Sequence, residues 1–202
     1  MNQNISAAVT AVIHQLLKNP DVAEKIREEF IEEIFGELPT VEQLEKELTM
    51  ESIKDLDYLN QVVKESLRIS PSIYGKVQVP QKDIELEGFT LKEGTRVFPC
   101  AGVMGVSDNI FAEPEKFIPA RFDTGSDYFK LPDGGKRDPM TWNTFGNGPR
   151  VCQGMGYSVY QIKLCVVYLL SQYKLELEGE LPENDHYYFA TNADFKVKYT
   201  KL

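Results

Sequence analysis

Ile5, Ala8, Val9, Val12, Ile13, Leu16 and Leu17 recur at spacings of three and four, so their side chains form one stripe along a helix that starts almost at Met1. No capping residue precedes the stripe, the pattern expected of the tail of a longer helix. Asn19-Pro20 then offers an N-cap residue followed by proline at the first helical position, and Val22, Ile26, Phe30 and Ile34 carry a second helix to Gly36. Thr40 and Gln43 have the spacing of a capping box for a short helix ending near Leu48. Leu56, Leu59, Val63 and Leu67 make a further stripe. Ser70-Pro71 stops it, because the residue before proline is pushed out of the helical region.

From Lys76 the helical period is lost. Ile84 to Glu87 and Phe89 to Leu91 read as short strands around Gly88, Lys92 to Gly94 as a turn, and Arg96 to Phe98 as another strand. Residues 105–156 show no sustained period and are rich in Pro, Gly, Asp and Asn, a loop far longer than the usual connection of about 4 to 6 residues. Long ordered loops usually carry function. Residues 157–174 are apolar on nearly every side and predict a helix buried all round, and 175–202 read as short terminal strands. The chain thus divides into helices over 1–75, a small β element over 76–104, the long loop, the buried helix and the strands. The predicted fold class is mainly α with small β-sheets, in one domain.

Of the 202 residues 42% are hydrophobic and 26% charged, an ordinary globular composition able to bury a core. Twenty-two Lys and Arg against 31 Asp and Glu leave a net charge of −9, which repels a phosphate backbone and argues against nucleic acid as a partner. Residues 1–60 hold 13 acids and 5 bases, which reads as solvated acidic helix faces. No run approaches the roughly 18 to 20 apolar residues of a membrane span, and the N-terminus lacks the basic flank of a secretory signal, so no anchor is expected within this chain. Cys100, Cys152 and Cys165 are odd in number and form no C-x-x-C pair, which excludes a disulfide framework and implies a reducing, intracellular compartment.

Most catalytic signatures are missing: neither G-x-G-x-x-G nor Gly-Lys-Ser/Thr occurs. His14 and His186 are the only histidines and read as structural or solvated, which leaves a histidine triad or histidine metal site unsupported. The informative stretch is Phe145-Gly146-Asn147-Gly148-Pro149-Arg150-Val151-Cys152-Gln153-Gly154. Glycines and a proline shape a tight loop, and Cys152 stands immediately before the last long helix. A sulfur there faces unpaired N–H groups and the positive end of a helix dipole, surroundings that suit a sulfur anion, with Arg150 adding a fixed positive charge. The plainer reading, a small buried hydrophobe in a turn, fits most free cysteines but not this glycine-rich loop.

This segment resembles the cysteine loop of the cytochrome P450 family at every defining position. The resemblance implies that Cys152 is the proximal ligand of a haem b iron, its electron donation favouring O–O cleavage. It implies that Phe145 packs near the sulfur, that Gly154 completes the loop and that Arg150 pairs with a haem propionate. Two further motifs agree. Glu65-Ser66-Leu67-Arg68 would by itself be a surface ion pair at i, i+3 worth a few tenths of a kcal/mol. In the family this pair is buried with a third residue, here Arg121 of Pro119-Ala120-Arg121-Phe122. Glu65, Arg68 and Arg121 are then a structural triad that locks the helix to the cysteine loop. Ala120 stands where the family usually has an acid, which predicts that Arg121 depends on Glu65 alone.

The likeness runs over nearly the whole chain but only over the C-terminal portion of the P450 fold. The first helix corresponds to the end of the long helix crossing the distal haem face, with Gln3 and Asn4 at the positions of the acid-alcohol pair that serves oxygen activation. The propionate-binding base falls near Gln78, with Lys76 as a substitute. The implied activity is insertion of one oxygen atom from O₂ into an apolar small molecule with electrons from a reductase, together with an N-terminal half. In a longer protein the implied place is the cytoplasmic face of the endoplasmic reticulum. Because neither Gln3 nor Asn4 relays protons as an acid and threonine do, a peroxide-rearranging member stands beside it; because half of the core and one haem wall are missing, so do a non-catalytic haem-binding fragment and a truncated gene product.

Overall fold

The computed structural model describes residues 2–179, 186–187, 190–191 and 195–202. Its core is made by four helices whose apolar stripes face one another. Helix α1 (Asn2–Lys18) buries Ala8, Val12 and Leu16, and α2 (Pro20–Phe30) buries Val22, Ile26 and Phe30. Helix α5 (Asp57–Ile69) buries Leu59, Val62, Val63 and Leu67, and α7 (Met155–Gln172) adds Ile162, Val166, Val167 and Leu170. Helix α2 runs into a single π-helical turn, Ile31–Phe35, which Gly36 closes at φ 77°, a left-handed conformation that glycine adopts without steric cost. Helix α3 (Val41–Glu47) starts at the Thr40–Gln43 capping box, with both reciprocal hydrogen bonds present.

Side chains distant in sequence bolt these helices together. The Glu29 carboxylate accepts from the N–H groups of Tyr58 and Leu59, at 2.5 and 2.9 Å, and so caps the otherwise unpaired donors at the start of α5. The Lys163 ammonium, buried in α7, donates to the carbonyls of Ile53 and Leu56 at 3.1 and 3.0 Å. Burial pushes the Glu29 carboxyl up and the Lys163 ammonium down, each opposed by its hydrogen bonds or by the charge of the other. Arg27 Nε donates to the carbonyl of Leu170 at the end of α7, at 3.0 Å.

The β structure is slight and lies at the periphery. Strands β1 (Ile84–Leu86) and β2 (Phe89–Leu91) form an antiparallel hairpin, paired Ile84 to Leu91 and Leu86 to Phe89. Strand β3 (Tyr173–Glu178) continues directly from α7 and pairs antiparallel with β6 (Lys196–Lys201), while β4 (His186–Tyr187) pairs with β5 (Ala190–Thr191). Much of the expected 175–202 strand region, and the His186 side chain, lie outside the described residues. Among the described residues no helix is long and apolar enough to cross a membrane.

Several expectations are corrected. Asn19 makes no side-chain cap; its amide donates back to the Gln15 carbonyl at 2.8 Å, an acceptor at the end of α1 that also takes the Asn19 N–H at 3.0 Å. Two short helices were not anticipated, α4 (Met50–Lys54) and α6 (Ala101–Gly105). Arg96 to Phe98 contributes only an isolated bridge between Val97 and Gln78, with no neighbouring strand to extend it. The last helix begins two residues earlier than predicted and is buried on one face only: Tyr157, Cys165 and Tyr168 are exposed. The described residues pack against the side that carries Ile162, Lys163, Val166, Val167 and Leu170.

Candidate functional site

The Glu65 carboxylate has no exposure to solvent and gathers four donors. Arg68 approaches it in fork geometry, Nε to Oε2 at 2.8 Å and Nη2 to Oε1 at 2.9 Å. Arg121 Nε and the Ile118 N–H reach Oε1 at 3.0 and 2.8 Å. Such bidentate, charge-assisted bonds are what a buried carboxylate requires. Arg121 does not depend on Glu65 alone, contrary to the expectation drawn from Ala120. Its guanidinium also donates to the carbonyls of Ala112, Glu113 and Lys116 and lies 5.9 and 5.6 Å from the ring centres of Phe111 and Tyr128. Main-chain acceptors of the loop thus supply what the missing acid would have. Burial lowers the Arg121 pKa, against the attraction of Glu65.

Sequence reading missed a third arginine. Arg137, buried, donates to the Arg121 carbonyl and stands 4.8 Å from the Phe111 ring centre, with Phe122 and Phe129 at 5.4 and 5.5 Å. It sits in an aperiodic loop, where no local pattern separates a buried arginine from a solvated one. The same Arg68 guanidinium donates to the Gly105 carbonyl, and a Cβ built on Gly105 would lie 2.3 Å from the Arg68 main-chain oxygen. Only glycine permits this approach. Together these contacts pin residues 105–137 to α5.

The same helix holds the cysteine loop. Trp142 Nε1 donates to the Lys64 carbonyl at 3.1 Å, and Thr144 Oγ1 to the Leu67 carbonyl at 3.2 Å. The Trp142 and Phe145 rings meet at 5.7 Å. Gly146 and Gly148 turn the chain at φ 73° and 71°, and the Cys152 N–H closes the loop on the Phe145 carbonyl at 2.9 Å. Helix α7 follows with Gly154 as its N-cap residue, and Ser158 N donates to the Gly154 carbonyl at 2.8 Å. A Cβ on Gly154 would stand 3.9 Å from Cys152 Sγ, so glycine keeps one side of the sulfur uncovered.

The loop opens on a cavity of about 740 Å³, within the size range of about 300 to 1,000 Å³ of small-molecule sites. Cys152, Arg150, Phe145 and Gly154 all line it, as do Lys76 and Gln78. Of the two N-terminal positions singled out in the sequence, Asn4 reaches this wall and Gln3 is not part of it. Sequence reading did not single out Ile5, Ile73, Asn143 or Ser158 as lining residues. Ile5 adjoins Asn4 and Ser158 stands one helical turn after Gly154, whereas Ile73 and Asn143 lie in aperiodic stretches that carry no such signal. His14 is buried in α1 with its ring 5.6 Å from that of Phe195, and it does not line the cavity. An exposed thiol, two cationic side chains and apolar walls in one space fit an iron porphyrin: a soft anionic donor for the metal, positive charge for carboxylates, and a surface for the ring.

Comparison with known proteins agrees. Residues 3–194 match the sequence model of the family described as Cytochrome P450. A probable mitochondrial cytochrome P450 12c1 of Drosophila melanogaster is 28% identical over 98% of the chain and 37% of its own length. The 12b2 protein of the same organism is 33% identical over 88% and 32%, and cytochrome P450 3A25 of Mus musculus 29% identical over 85% and 31%. The chain spans about a third of the length of these relatives. Among solved structures, the retinoic acid bound cyanobacterial CYP120A1 superposes with a TM-score of 0.82 at 25% identity, over 99% of this chain and 43% of that one. CYP102L1, at 21% identity and a TM-score of 0.81, shares the fold. The family match spans α1, the cysteine loop and α7, and the chain belongs to the cytochrome P450 family.

Proposed function

We propose that the cysteine-loop cavity binds haem b, the cofactor of this family, whose iron the Cys152 thiolate would hold, and that it serves monooxygenation of an apolar small molecule with electrons from a reductase. The observation that carries this reading is the convergence of Cys152, Arg150 and Lys76 on one cavity. When bound, haem supplies the redox chemistry with oxygen that no side chain of the chain offers. The protein's part is orientation. The hydrogen bond from the Cys152 N–H to Phe145 holds the sulfur-bearing residue in place, and the glycine turns carry it clear of the loop. Arg150 and Lys76 set positive charge where propionates need partners. Glu65, Arg68 and Arg121 position the loop through α5 and touch no part of the cavity. The three cysteines are free, which suits a reducing compartment.

Asn4 in the cavity wall favours a second reading. Its amide can hydrogen-bond but does not exchange a proton as a carboxyl group does. A peroxide-rearranging or purely haem-binding role needs no such exchange. Haem reconstitution followed by reduction and CO addition tests the first step. The long-wavelength CO band of thiolate ligation is expected for the chain and lost in Cys152→Ser; a histidine-type band in both rejects the assignment. Product formed from reductase and NADPH with catalase present supports monooxygenation, and product formed only from peroxide supports the second reading.

A further inference from the structure

A second cavity, of about 720 Å³, lies between α4, the first turns of α7 and the loop around Trp142, and shares no lining residue with the cysteine-loop cavity. Its wall is apolar where Ile53, Phe129, Trp142 and Val159 contribute, and cationic where Lys64, Arg137 and Lys163 do. Lys163 and Arg137 are more than nine-tenths buried. The Lys163 ammonium spends two of its three donors on the Ile53 and Leu56 carbonyls, and Lys64 lies 5.9 Å over the Phe122 ring. Among the described residues no carboxylate forms an ion pair with these three cations. Lys54, a fourth lining cation, pairs with Glu51 on the surface, and the lining carboxylate of Asp138 accepts from the Met140 N–H at 2.8 Å. Burial lowers the pKa of both Lys64 and Lys163, the mark of cations removed from water without full compensation.

We infer that this second cavity binds a small amphiphilic anion, a monocarboxylate with an aliphatic body, the carboxylate meeting Lys64 and Lys163 and the chain lying along Trp142, Phe129 and Val159. Charge and shape both argue for it. A neutral apolar molecule would leave the Lys64 ammonium and the third donor of Lys163 without an anion, and a compact hydrophilic anion would leave the aromatic wall wet. The two cavities share no lining residue, and the inference holds whether or not haem binds in the other.

Methionines report the two cavities separately: Met50 and Met155 line this one, and Met140 lines the other. With methionine methyl groups carbon-13 labelled, the 202-residue chain is titrated with sodium octanoate and, separately, with octan-1-ol. Saturable shifts of the Met50 and Met155 signals by octanoate are expected, with octan-1-ol requiring about tenfold more, the order of one charge-assisted contact. Lys64→Gln should weaken octanoate several-fold and leave octan-1-ol unchanged. Shifts confined to Met140, no shift at Met50 and Met155, or equal response to acid and alcohol would each overturn the proposal, and the last comparison needs no variant.

Discussion

Arg137 donates a hydrogen bond to the main-chain oxygen of Arg121, and their two buried guanidinium groups both lie against the Phe111 ring, with the Glu65 carboxylate paired to only one of them. Three cations, Arg68, Arg121 and Arg137, therefore share a single buried anion, and main-chain carbonyls and aromatic faces make up the difference. The arrangement is stable only while each donor keeps its carbonyl, which makes it sensitive to single changes.

Arg121→Ala should cost about 3 to 5 kcal/mol, the penalty of breaking a buried pair, because Glu65 loses one ion pair and the carbonyls of Ala112 and Glu113 lose their donor. Arg121→Lys keeps the charge without the fork and should fall between. Urea unfolding measures both; a midpoint for Arg121→Ala equal to that of the parent would show the triad to be energetically idle.

Gly105→Ala places a methyl group against the Arg68 oxygen at 2.3 Å, a backbone atom that cannot turn aside, and should destabilise by about 1 to 3 kcal/mol. Gly156→Ala, in the first turn of α7 with nothing within 4 Å of the new carbon, should be neutral or stabilising by up to about 1 kcal/mol. Thermal melts of the two variants side by side test the contrast, and equal shifts would refute it.

Lys163 has a folded-state pKa below its ordinary 10.5, lowered first by burial and held up in part by Glu29. Between the lowered value and 10.5 the unfolded chain carries the extra proton, so stability rises with pH across that window. Lys163→Met removes this gain. The difference in unfolding free energy between parent and variant should therefore widen in the parent's favour as the pH climbs toward 10.5. Tyr58, pushed up to about 12 by burial, has the opposite effect from pH 10 upward, but it is common to both proteins and cancels. A difference that stays flat with pH would refute the prediction.

If Arg150 holds a propionate, Arg150→Leu should weaken haem retention about tenfold, the worth of one charge-assisted contact, while leaving the CO band of the reduced complex in place. Transfer of haem to an acceptor protein measures the loss. A band displaced along with the affinity would mean that Arg150 acts on the sulfur.

The parts legible in the sequence are those with a period or a dense local motif. The stripes of α1, α2 and α5, the Thr40–Gln43 box and the cysteine loop each carry their signal within a few residues. Helix α4 escaped because its reciprocal cap uses Ser52 where a Glu or Gln is the usual partner of Thr49. Helix α6 escaped because its five residues include Gly102 and Gly105, poor helix formers placed for close contact with Tyr74 and Arg68. Arg137 and Lys163 were invisible for a deeper reason. Whether a cation is buried depends on which carbonyls and rings arrive from elsewhere in the fold, and spacing along the chain does not record that.

The Glu65–Arg121 pair also bears on how the chain finds its shape. It joins residues 56 apart, and the Lys163 contact with Ile53 joins residues 110 apart. Closing loops of that length costs entropy before either contact returns anything, and topologies dominated by such contacts fold slowly. Until the loop carrying Arg121 arrives, Glu65 remains hydrated or is shielded by Arg68 alone. The final collapse around α5 must therefore dehydrate charge and close the loop together. Refolding should accordingly be slowest where this cluster forms, and a variant with an apolar, shape-matched replacement for the whole cluster should refold faster than the parent, independently of any change in stability.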